Sequence, residues 1–270
     1  MAAETARLEG LIAARCRDTA ACAPQVSVFA RLGSTNAHLL ETIDAAPGDR
    51  PRVCLALEQT AGRGRRGRTW ASRPGAGLTL SLDWPLVPGR PLPPAYPVGV
   101  GLGLIRALEG LGFSGIGLKW PNDLMVGDAK LAGVLVEQRP PRAGRAGRLV
   151  VGMGVNRAGA REFALERAVT DLAELAGGTA PDLLQLAAAV AAEQLRRHDA
   201  LVEQGLLPFV AELERRDCLR GGTVEILDSG RRVRVRGIDP QSGCLRVDDE
   251  QGGLELLHSG EVSVRSRADA

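Results

Sequence analysis

The spacing of apolar residues changes repeatedly along the first part of the chain. Spacings of three and four residues predict helices, and compact or alternating apolar runs predict strands. By this rule helices are expected around residues 8–12, 35–40 and 98–111, and strands at 53–57, 78–84, 116–119, 124–126, 131–138 and 149–155. Gly127 and Asp128, between two of these strands, are typical of a hairpin turn. Helices and strands are interspersed, which indicates an α+β domain.

A different pattern begins after Cys218. Residues 181–216 have helical apolar spacing, but the remainder consists of short apolar runs separated by Asp, Ser, Gln, Pro and Gly. Strands are expected at 223–227, 231–238, 244–247, 254–257 and 262–264. Several short strands in so few residues predict a small β-barrel. We therefore expect two domains, at residues 1–218 and 219–270.

Composition narrows the class of protein. The 270 residues are 44% apolar, carry a formal net charge of +2 and include only 3% aromatic residues, which is normal for a globular protein and unlike a general nucleic-acid coat protein. The five cysteines form no C-x-x-C pair, as expected of reduced cytosolic thiols. The sequence has no signal-peptide pattern and no apolar run of about 18 residues. We expect a cytoplasmic protein that has no membrane span and no metal site formed by its own side chains.

The segment from Glu58 to Trp70 carries the most distinctive chemistry. Its sequence, E-Q-T-A-G-R-G-R-R-G-R-T-W, holds three glycines and four arginines, and no acidic residue occurs from Thr60 to Leu82. Glycine lets a backbone approach a ligand closely, and guanidinium groups bind phosphate oxygens. The pattern predicts a phosphate or polyphosphate site.

The glycine spacing alone is a weak signal. Gly62, Gly64 and Gly67 match G-x-G-x-x-G, but a dinucleotide-binding or Walker-type loop must lead into a helix. Here T-W-A-S-R-P-G follows, in which proline and glycine disfavour a helix. The kinase motifs H-R-D and D-F-G are absent from the sequence. The loop is therefore expected to join two strands, and other segments must complete the site.

Four more segments form an ordered set with this loop. They are Ser34-Thr35-Asn36, Lys119-Trp120-Pro121-Asn122-Asp123-Leu124, Lys130-Leu131-Ala132-Gly133-Val134-Leu135-Val136-Glu137 and Gly152-Met153-Gly154-Val155-Asn156. Together these motifs resemble the biotin protein ligase family over roughly residues 30 to 175. The small C-terminal β-domain also fits that family.

The resemblance implies a fold and an activity. The expected fold is a mixed, largely antiparallel sheet with helices, as in class II synthetases, followed by a small SH3-like β-barrel. The expected enzyme uses ATP and biotin as substrates together with Mg²⁺, and it forms biotinyl-5′-AMP with release of pyrophosphate. It then transfers biotin to a lysine of a biotin carboxyl carrier protein, a subunit of acetyl-CoA carboxylase.

The same resemblance assigns residues to this chemistry. Lys130 is expected to lie between the biotin carboxylate and the α-phosphate, because two unit charges about 4 Å apart repel by roughly 4 kcal/mol at an effective dielectric near 20. Asp123 is expected to orient or deprotonate the carrier lysine, and Arg65 is the third expected catalytic residue. The expected biotin-binding residues are Ser34, Thr35, Asn36, Gln59, Arg63, Lys130 and Gly133. The expected nucleotide-binding residues are Gly62, Arg63, Gly64, Arg65, Arg66, Gly67, Arg68, Trp70, Asn122, Lys130 and Asn156.

Each of these residues also has a simpler interpretation when it is taken alone. Lys130 would be a solvated hairpin residue, Ser34 or Thr35 a helix cap, and Asp123 a turn cap. The ordered set of motifs favours the functional interpretation. The glycine-rich loop is then expected to be mobile without ligand and to close over the adenylate.

Two other functions and the assembly state stay open at this point. Lipoate protein ligase is an enzyme of related fold that adenylates a different acid. A basic nucleic-acid-binding module could use the loop arginines and the R-A-G-R-A-G-R stretch at 142–148, which is otherwise a hairpin tip. Only 33 residues precede Ser34, so we expect no dedicated DNA-binding domain, and either a monomer or a homodimer.

Overall fold

The computed structural model describes most of the chain. The described residues are 1–16, 23–42, 50–87, 89–141, 146–163, 167–249, 252–259 and 264–267. Most of the arginine-rich stretch at 142–148 and the start of the last expected strand lie outside these ranges. No helix among the described residues is long and apolar enough to cross a membrane.

A seven-stranded sheet forms the centre of the molecule. Its strands are β1 Gln25–Phe29, β2 Arg52–Ala56, β3 Gly77–Pro85, β4 Ile116–Lys119, β5 Asp123–Val126, β6 Ala129–Arg139 and β7 Arg148–Asn156. They lie in the order β1-β2-β3-β7-β6-β5-β4. Among the strands of the described residues, β1 and β2 pair in parallel and the other five neighbouring pairs of this sheet are antiparallel, which confirms the expected mixed, largely antiparallel sheet. β1 is absent from the strands that apolar spacing predicted.

Helices cover the sheet and supply much of the core. They are α1 Ala2–Arg15, α2 Thr35–Glu41, α3 Tyr96–Glu109, α4 Leu172–Leu175, α5 Leu183–Gln204 and α6 Val210–Arg216. The small residues of α3 permit close packing, since a methyl group on Gly99 would overlap the side chain of Leu201 in α5. α3 and α5 therefore form a tight layer over the sheet.

The helical region expected at 181–216 is interrupted. α5 ends where Gly205 adopts a left-handed backbone with φ 61°, and Pro208 follows in a short 3₁₀ turn before α6. Glycine tolerates that conformation, and proline cannot continue a helix. The continuous apolar spacing therefore spans two helices.

A second, antiparallel sheet follows α6. Its strands are β8 Thr223–Ile226, β9 Arg232–Ile238, β10 Leu245–Asp248, β11 Leu254–Leu257 and β12 Val264–Arg267, in the order β11-β10-β9-β8-β12. Val233 and Val235 are buried while the arginines beside them on β9 face outward, as alternation predicts. This sheet fits the expected SH3-like domain.

Hydrogen bonds tie the C-terminal region to the first part of the chain. The Trp120 indole donates to the Gly243 carbonyl, between β9 and β10, at 2.8 Å. Just before the second sheet, Cys218 N–H donates to the Leu118 carbonyl at 3.1 Å. The domain boundary at 218/219 stays a prediction.

Candidate active site

A cavity opens where α2, the arginine-rich loop and strands β5 to β7 meet. Among the predicted site residues, the following line it: Ser34, Thr35, Asn36, Gln59, Arg63, Gly64, Arg65, Arg66, Arg68, Trp70, Asn122, Asp123, Lys130 and Gly133. Gly62, Gly67 and Asn156 do not line it. Five motifs that lie far apart in the sequence therefore contribute to one cavity.

The arginine-rich loop, residues 62–70, closes on itself as a short hairpin. Gly64 N–H donates to the Arg68 carbonyl at 2.7 Å, and Trp70 N–H donates to the Gly62 carbonyl at 2.9 Å. A methyl group on Gly62 would overlap the Trp70 carbonyl, so glycine is needed at that position. The tip is a 3₁₀ turn at Arg65–Gly67, and no α-helix follows. The predicted strand–loop–strand arrangement is confirmed.

Two loop arginines have fixed partners outside the loop. Arg63 Nη2 donates to Glu137 Oε1 at 2.7 Å. Arg65 donates to Asn122 Oδ1 at 3.2 Å and, from its other terminal nitrogen, to the Ser259 carbonyl at 2.6 Å. Burial lowers the pKa of Arg65 below its ordinary value, and nearby Arg66 acts in the same direction. An anion in the cavity would relieve this crowding of positive charge.

Lys130 is the most deeply buried cation of the cavity, with 8% of its surface exposed. Its ammonium group donates to Asp123 Oδ1, and Nζ lies 5.8 Å from the centroid of the Trp70 ring. Burial lowers the pKa of Lys130, while the Asp123 carboxylate opposes this shift. Arg167 Nη1 lies 4.0 Å from Asp123 Oδ2. Asp123 therefore carries two cationic neighbours at the cavity wall.

Asn156 supports Lys130 from behind the cavity. Its Nδ2 donates to the Lys130 carbonyl at 3.2 Å and to the Thr170 carbonyl at 3.0 Å. The Lys130 backbone also exchanges hydrogen bonds with residues 168 and 170. The strand segment that carries the ammonium group is thus fixed on both sides.

A neutral hydrogen-bonding cluster occupies another part of the cavity. Ser34 caps α2, since its Oγ accepts from Ala37 N–H at 3.4 Å. Thr35 donates to Gln59 Oε1 from its N–H at 2.7 Å and from its hydroxyl at 3.0 Å. Ser81 Oγ lies 2.6 Å from both Thr35 Oγ1 and Asn36 Oδ1. All of these side chains are buried, so their partners determine their orientation.

Glycines on β7 let large side chains lie directly against the strand. A methyl group on Gly152 would overlap the Asn36 side chain, and one on Gly154 would overlap the Trp70 indole. Both strand glycines belong to the G-M-G-V-N motif. Their role is therefore to leave room for one residue of α2 and one residue of the loop.

The structure adds residues that sequence reasoning did not select. Thr79, Lys119, Arg167 and Ser259 line the cavity, and Ser81 lies behind it. A signal for Ser81 exists in β3, where Thr79, Ser81 and Asp83 alternate with leucines and are buried. Buried polar residues on one face of a strand need partners, and this face turns toward α2.

The lining residues carry an excess of positive charge. Among the described residues, seven cationic side chains line the cavity and Asp123 is the single carboxylate: Arg63, Arg65, Arg66, Arg68, Lys119, Lys130 and Arg167 are the cations. The described residues contain no group of three or more His, Cys, Asp or Glu side chains that could hold a metal ion. The cavity is suited to a ligand that has a neutral polar end and a multiply charged anionic end.

Comparisons with known proteins agree on one family. A profile of the "Biotin/lipoate A/B protein ligase family" matches residues 28–156. The chain is 35% identical to the "Bifunctional ligase/repressor BirA" of Escherichia coli strain K12, over 89% of this chain and 74% of that one. It is 33% identical to a "Biotin--[acetyl-CoA-carboxylase] ligase" of Mycobacterium tuberculosis, over 91% and 88% of the two chains.

A solved structure extends the similarity to three dimensions. The "Biotin protein ligase from Aquifex aeolicus in complex with biotin and ATP" superposes with a TM-score of 0.71 and 26% identity, over 90% of this chain and 99% of that one. The similarity includes the second sheet as well as the central one.

Proposed function

The chain belongs to the biotin protein ligase family, and from this premise we propose how its cavity carries out the reaction. The enzyme is an ATP-dependent biotin ligase. It forms biotinyl-5′-AMP and transfers biotin to a lysine of a carrier protein of acetyl-CoA carboxylase. The biotin relatives disfavour the lipoate alternative.

The observation that carries the proposal is the joining of two chemically different regions in one cavity. Ser34, Thr35 and Gln59 offer a buried set of neutral donors and acceptors, which suits the ureido ring of biotin. The loop arginines and Lys130 offer positive charge, which suits a triphosphate. Biotin and ATP together supply these two ends.

Adenylation requires one anion to attack another. A carboxylate oxygen of biotin bonds to the α-phosphorus, the bond from that phosphorus to the bridging oxygen breaks, and pyrophosphate leaves with the electron pair. Lys130 neutralises charge where the carboxylate and α-phosphate meet, and Arg63, Arg65 and Arg68 hold the phosphates. Preorganised cations in a site that excludes water stabilise such a transition state strongly.

Transfer requires a neutral amine. The carrier ammonium group gives up one proton to become an amine, its nitrogen attacks the acyl carbon, and the acyl–oxygen bond breaks to release AMP. The nitrogen then loses its second proton to solvent as the amide forms. Asp123 receives the first proton. Without substrate Asp123 is paired with Lys130, so it becomes available as a base when the phosphate of the adenylate attracts Lys130. The ion pair thereby prevents Asp123 from acting as a base for transfer until adenylation has taken place.

Magnesium fits this site as a companion of ATP. Mg²⁺ keeps several waters and binds substrate phosphates, so the phosphates of ATP would hold the ion, and Asp123, the single carboxylate among the described lining residues, is left to pair with Lys130. The ion would supply further charge neutralisation on the phosphates. We place the enzyme in the cytoplasm, where its free thiols remain reduced.

Mass spectrometry of the products tests the proposal directly. Purified protein, ATP, Mg²⁺ and biotin are expected to give biotinyl-5′-AMP, and a parallel lipoate reaction is expected to give little lipoyl-AMP. Lys130→Ala should lower the rate about 10²- to 10³-fold, as loss of one transition-state donor does. Arg234→Ala, which removes an exposed cation from β9, is the matched control and should retain full activity.

Other outcomes have definite meanings. Lipoyl-AMP without biotinyl-AMP would assign the chain to lipoate chemistry. If folded protein forms neither adenylate, the enzymatic proposal is wrong. Nucleic-acid binding whose logarithm falls linearly with the logarithm of salt concentration would then be the next test.

A further inference from the structure

Glu137, at the end of the K-L-A-G-V-L-V-E motif, joins two parts of the site. Its Oε1 accepts from Arg63 Nη2 at 2.7 Å, and its Oε2 accepts from Asn36 Nδ2 at 2.9 Å. Arg63 belongs to the arginine-rich loop, and Asn36 belongs to the first turn of α2. One carboxylate therefore holds the loop with one oxygen and the wall of the neutral cluster with the other.

The Asn36 side chain continues this connection into the neutral cluster. Its Oδ1 lies 2.6 Å from Ser81 Oγ, which lies 2.6 Å from Thr35 Oγ1. Thr35 in turn donates to Gln59. A methyl group on Gly152 would overlap the Asn36 side chain, so the glycine leaves space for it. A continuous series of polar atoms within hydrogen-bonding distance thus runs from Gln59 to Arg63 through Glu137.

A ligand in the cavity can change which of these hydrogen bonds form, because Ser81 has fewer protons than acceptors. A hydroxyl group has one proton, so Ser81 can donate to Thr35 or to Asn36 but not to both at once. A ligand that hydrogen-bonds Thr35 or Gln59 decides which acceptor Ser81 serves. Hydrogen bonds in such chains polarise one another, so that choice changes how firmly Asn36 and Glu137 hold the loop.

We propose that Glu137 is a positioning residue that couples occupation of the biotin pocket to closure of the arginine-rich loop. The inference rests on the proposed function. Arg63 is about half exposed, with 49% of its side chain accessible, and an exposed ion pair alone contributes little. Asn36 fixes the Glu137 carboxylate in place, and this preorganisation makes the pair with Arg63 dependent on the pocket.

Hydrogen–deuterium exchange measures this coupling. In the unaltered protein, biotin without ATP is expected to slow amide exchange in the loop, including Gly64 and Trp70, and at residues 35–39. In Glu137→Gln, biotin is expected to protect residues 35–39 still, while its protection of the loop falls at least threefold. Biotin affinity in that variant should fall three- to tenfold in a calorimetric titration.

The matched control is Glu255→Gln in the second sheet. Glu255 pairs with Arg231 at 2.7 Å, and both side chains are partly exposed, as in the Arg63–Glu137 pair. The control should keep full loop protection by biotin and unchanged biotin affinity. A loss of protection in Glu137→Gln alone therefore reports the connection between pocket and loop rather than loss of an ion pair in general.

Three results would overturn the inference, and they differ from failure of the proposed function. Biotin that binds but does not protect the loop in the unaltered protein would overturn it. Equal loop protection in Glu137→Gln and the unaltered protein would also overturn it. If Glu137→Gln does not fold, Glu137→Asp, whose side chain is shorter, is used in its place. Full protection of the loop by biotin in Glu137→Asp would then overturn the inference. Unaltered protein that binds no biotin would instead contradict the proposed function.

Discussion

Two aspartates in this molecule each lie beside two cations, yet their surroundings differ. Asp83 on β3 is completely buried and pairs with Arg52 and with Arg148, the latter at 2.8 Å. Arg52 also donates to the Leu39 carbonyl at 2.8 Å and to the Thr42 hydroxyl at 3.0 Å. This cluster has its hydrogen-bonding groups largely engaged within the protein.

Asp123 has a quarter of its side chain exposed and faces the cavity with Lys130 and Arg167. Among the described contacts of the Lys130 ammonium group are only Asp123 and the Trp70 ring, although an ammonium group has three donors. The comparison teaches that a buried ion pair does not by itself mark a reactive site. A reactive site is marked by an ammonium group, such as that of Lys130, whose remaining N–H donors face an open cavity.

Removing the charge of Asp83 should have the largest effect. Asp83→Asn leaves Arg52 and Arg148 buried without a counter-charge, and breaking a buried pair in this way costs about 3–5 kcal/mol. Urea unfolding should show that loss in the free energy of unfolding. Activity per folded molecule should stay unchanged, and a stability loss below about 1 kcal/mol would remove the distinction between the two aspartates.

Asp123→Asn should affect the reaction more than the fold. Transfer of biotin to the carrier should slow about 10²-fold, the lower range for loss of a general base. The free energy of unfolding should fall by less than in Asp83→Asn, because a quarter of the Asp123 side chain is exposed and Asp123 hydrogen-bonds one cation rather than two. Single-turnover transfer from preformed adenylate measures the first quantity. An unchanged transfer rate would show that Asp123 is not the base.

The same variant should shift the pH dependence of adenylation. Burial lowers the pKa of Lys130 and Asp123 opposes that shift, so removing the carboxylate lowers the pKa further. Adenylation needs the protonated amine and is lost as pH rises through this pKa. The alkaline decline of the adenylation rate should therefore move to lower pH in Asp123→Asn, which a pH series with saturating biotin and ATP would measure.

A third aspartate gives the smallest expected effect. Asp248 accepts from Arg236 at 2.6 Å on the second sheet, but Arg236 is 57% exposed. Exposed pairs contribute about 0.2–1 kcal/mol, so Asp248→Asn should lower stability by no more than that and leave catalysis unchanged. If Asp248→Asn lowers the free energy of unfolding as much as Asp83→Asn does, burial does not account for the different stabilities of these ion pairs.

Local sequence signals indicated the secondary structure around the cavity. Ser34 or Thr35 before the apolar positions of α2 indicates a helix cap, and Ser34 is the residue that caps it. Pro74 after the loop disfavours a following helix, and none follows. The expected cavity residues lie within five short motifs, one of which, Lys130 to Glu137, forms most of β6. The ordered set of motifs and its resemblance to a family indicated these residues, because no local pattern shows that the five segments meet.

Contacts between distant segments could not be predicted from local sequence patterns. Arg65 and the Ser259 carbonyl are separated by 194 positions, and no local pattern announces their hydrogen bond. The hydrogen bond from the Asn156 amide group to the Lys130 carbonyl likewise joins distant segments, and the expected contact of Asn156 with the nucleotide stays a prediction. Residues 25–29 form β1 through pairing with β2, which is a tertiary effect. Assignment of ligand contacts to individual residues stays a prediction.

The kind of basic residue on the surface has a chemical consequence. The chain contains only two lysines, Lys119 and Lys130, and both line the cavity; every other basic side chain apart from three histidines is an arginine. A guanidinium group stays protonated at physiological pH and does not attack an acyl phosphate as an amine does. Biotinyl-5′-AMP acylates amines. Beyond the terminal amine, the outer surface of this enzyme therefore presents few amines that biotinyl-5′-AMP can modify.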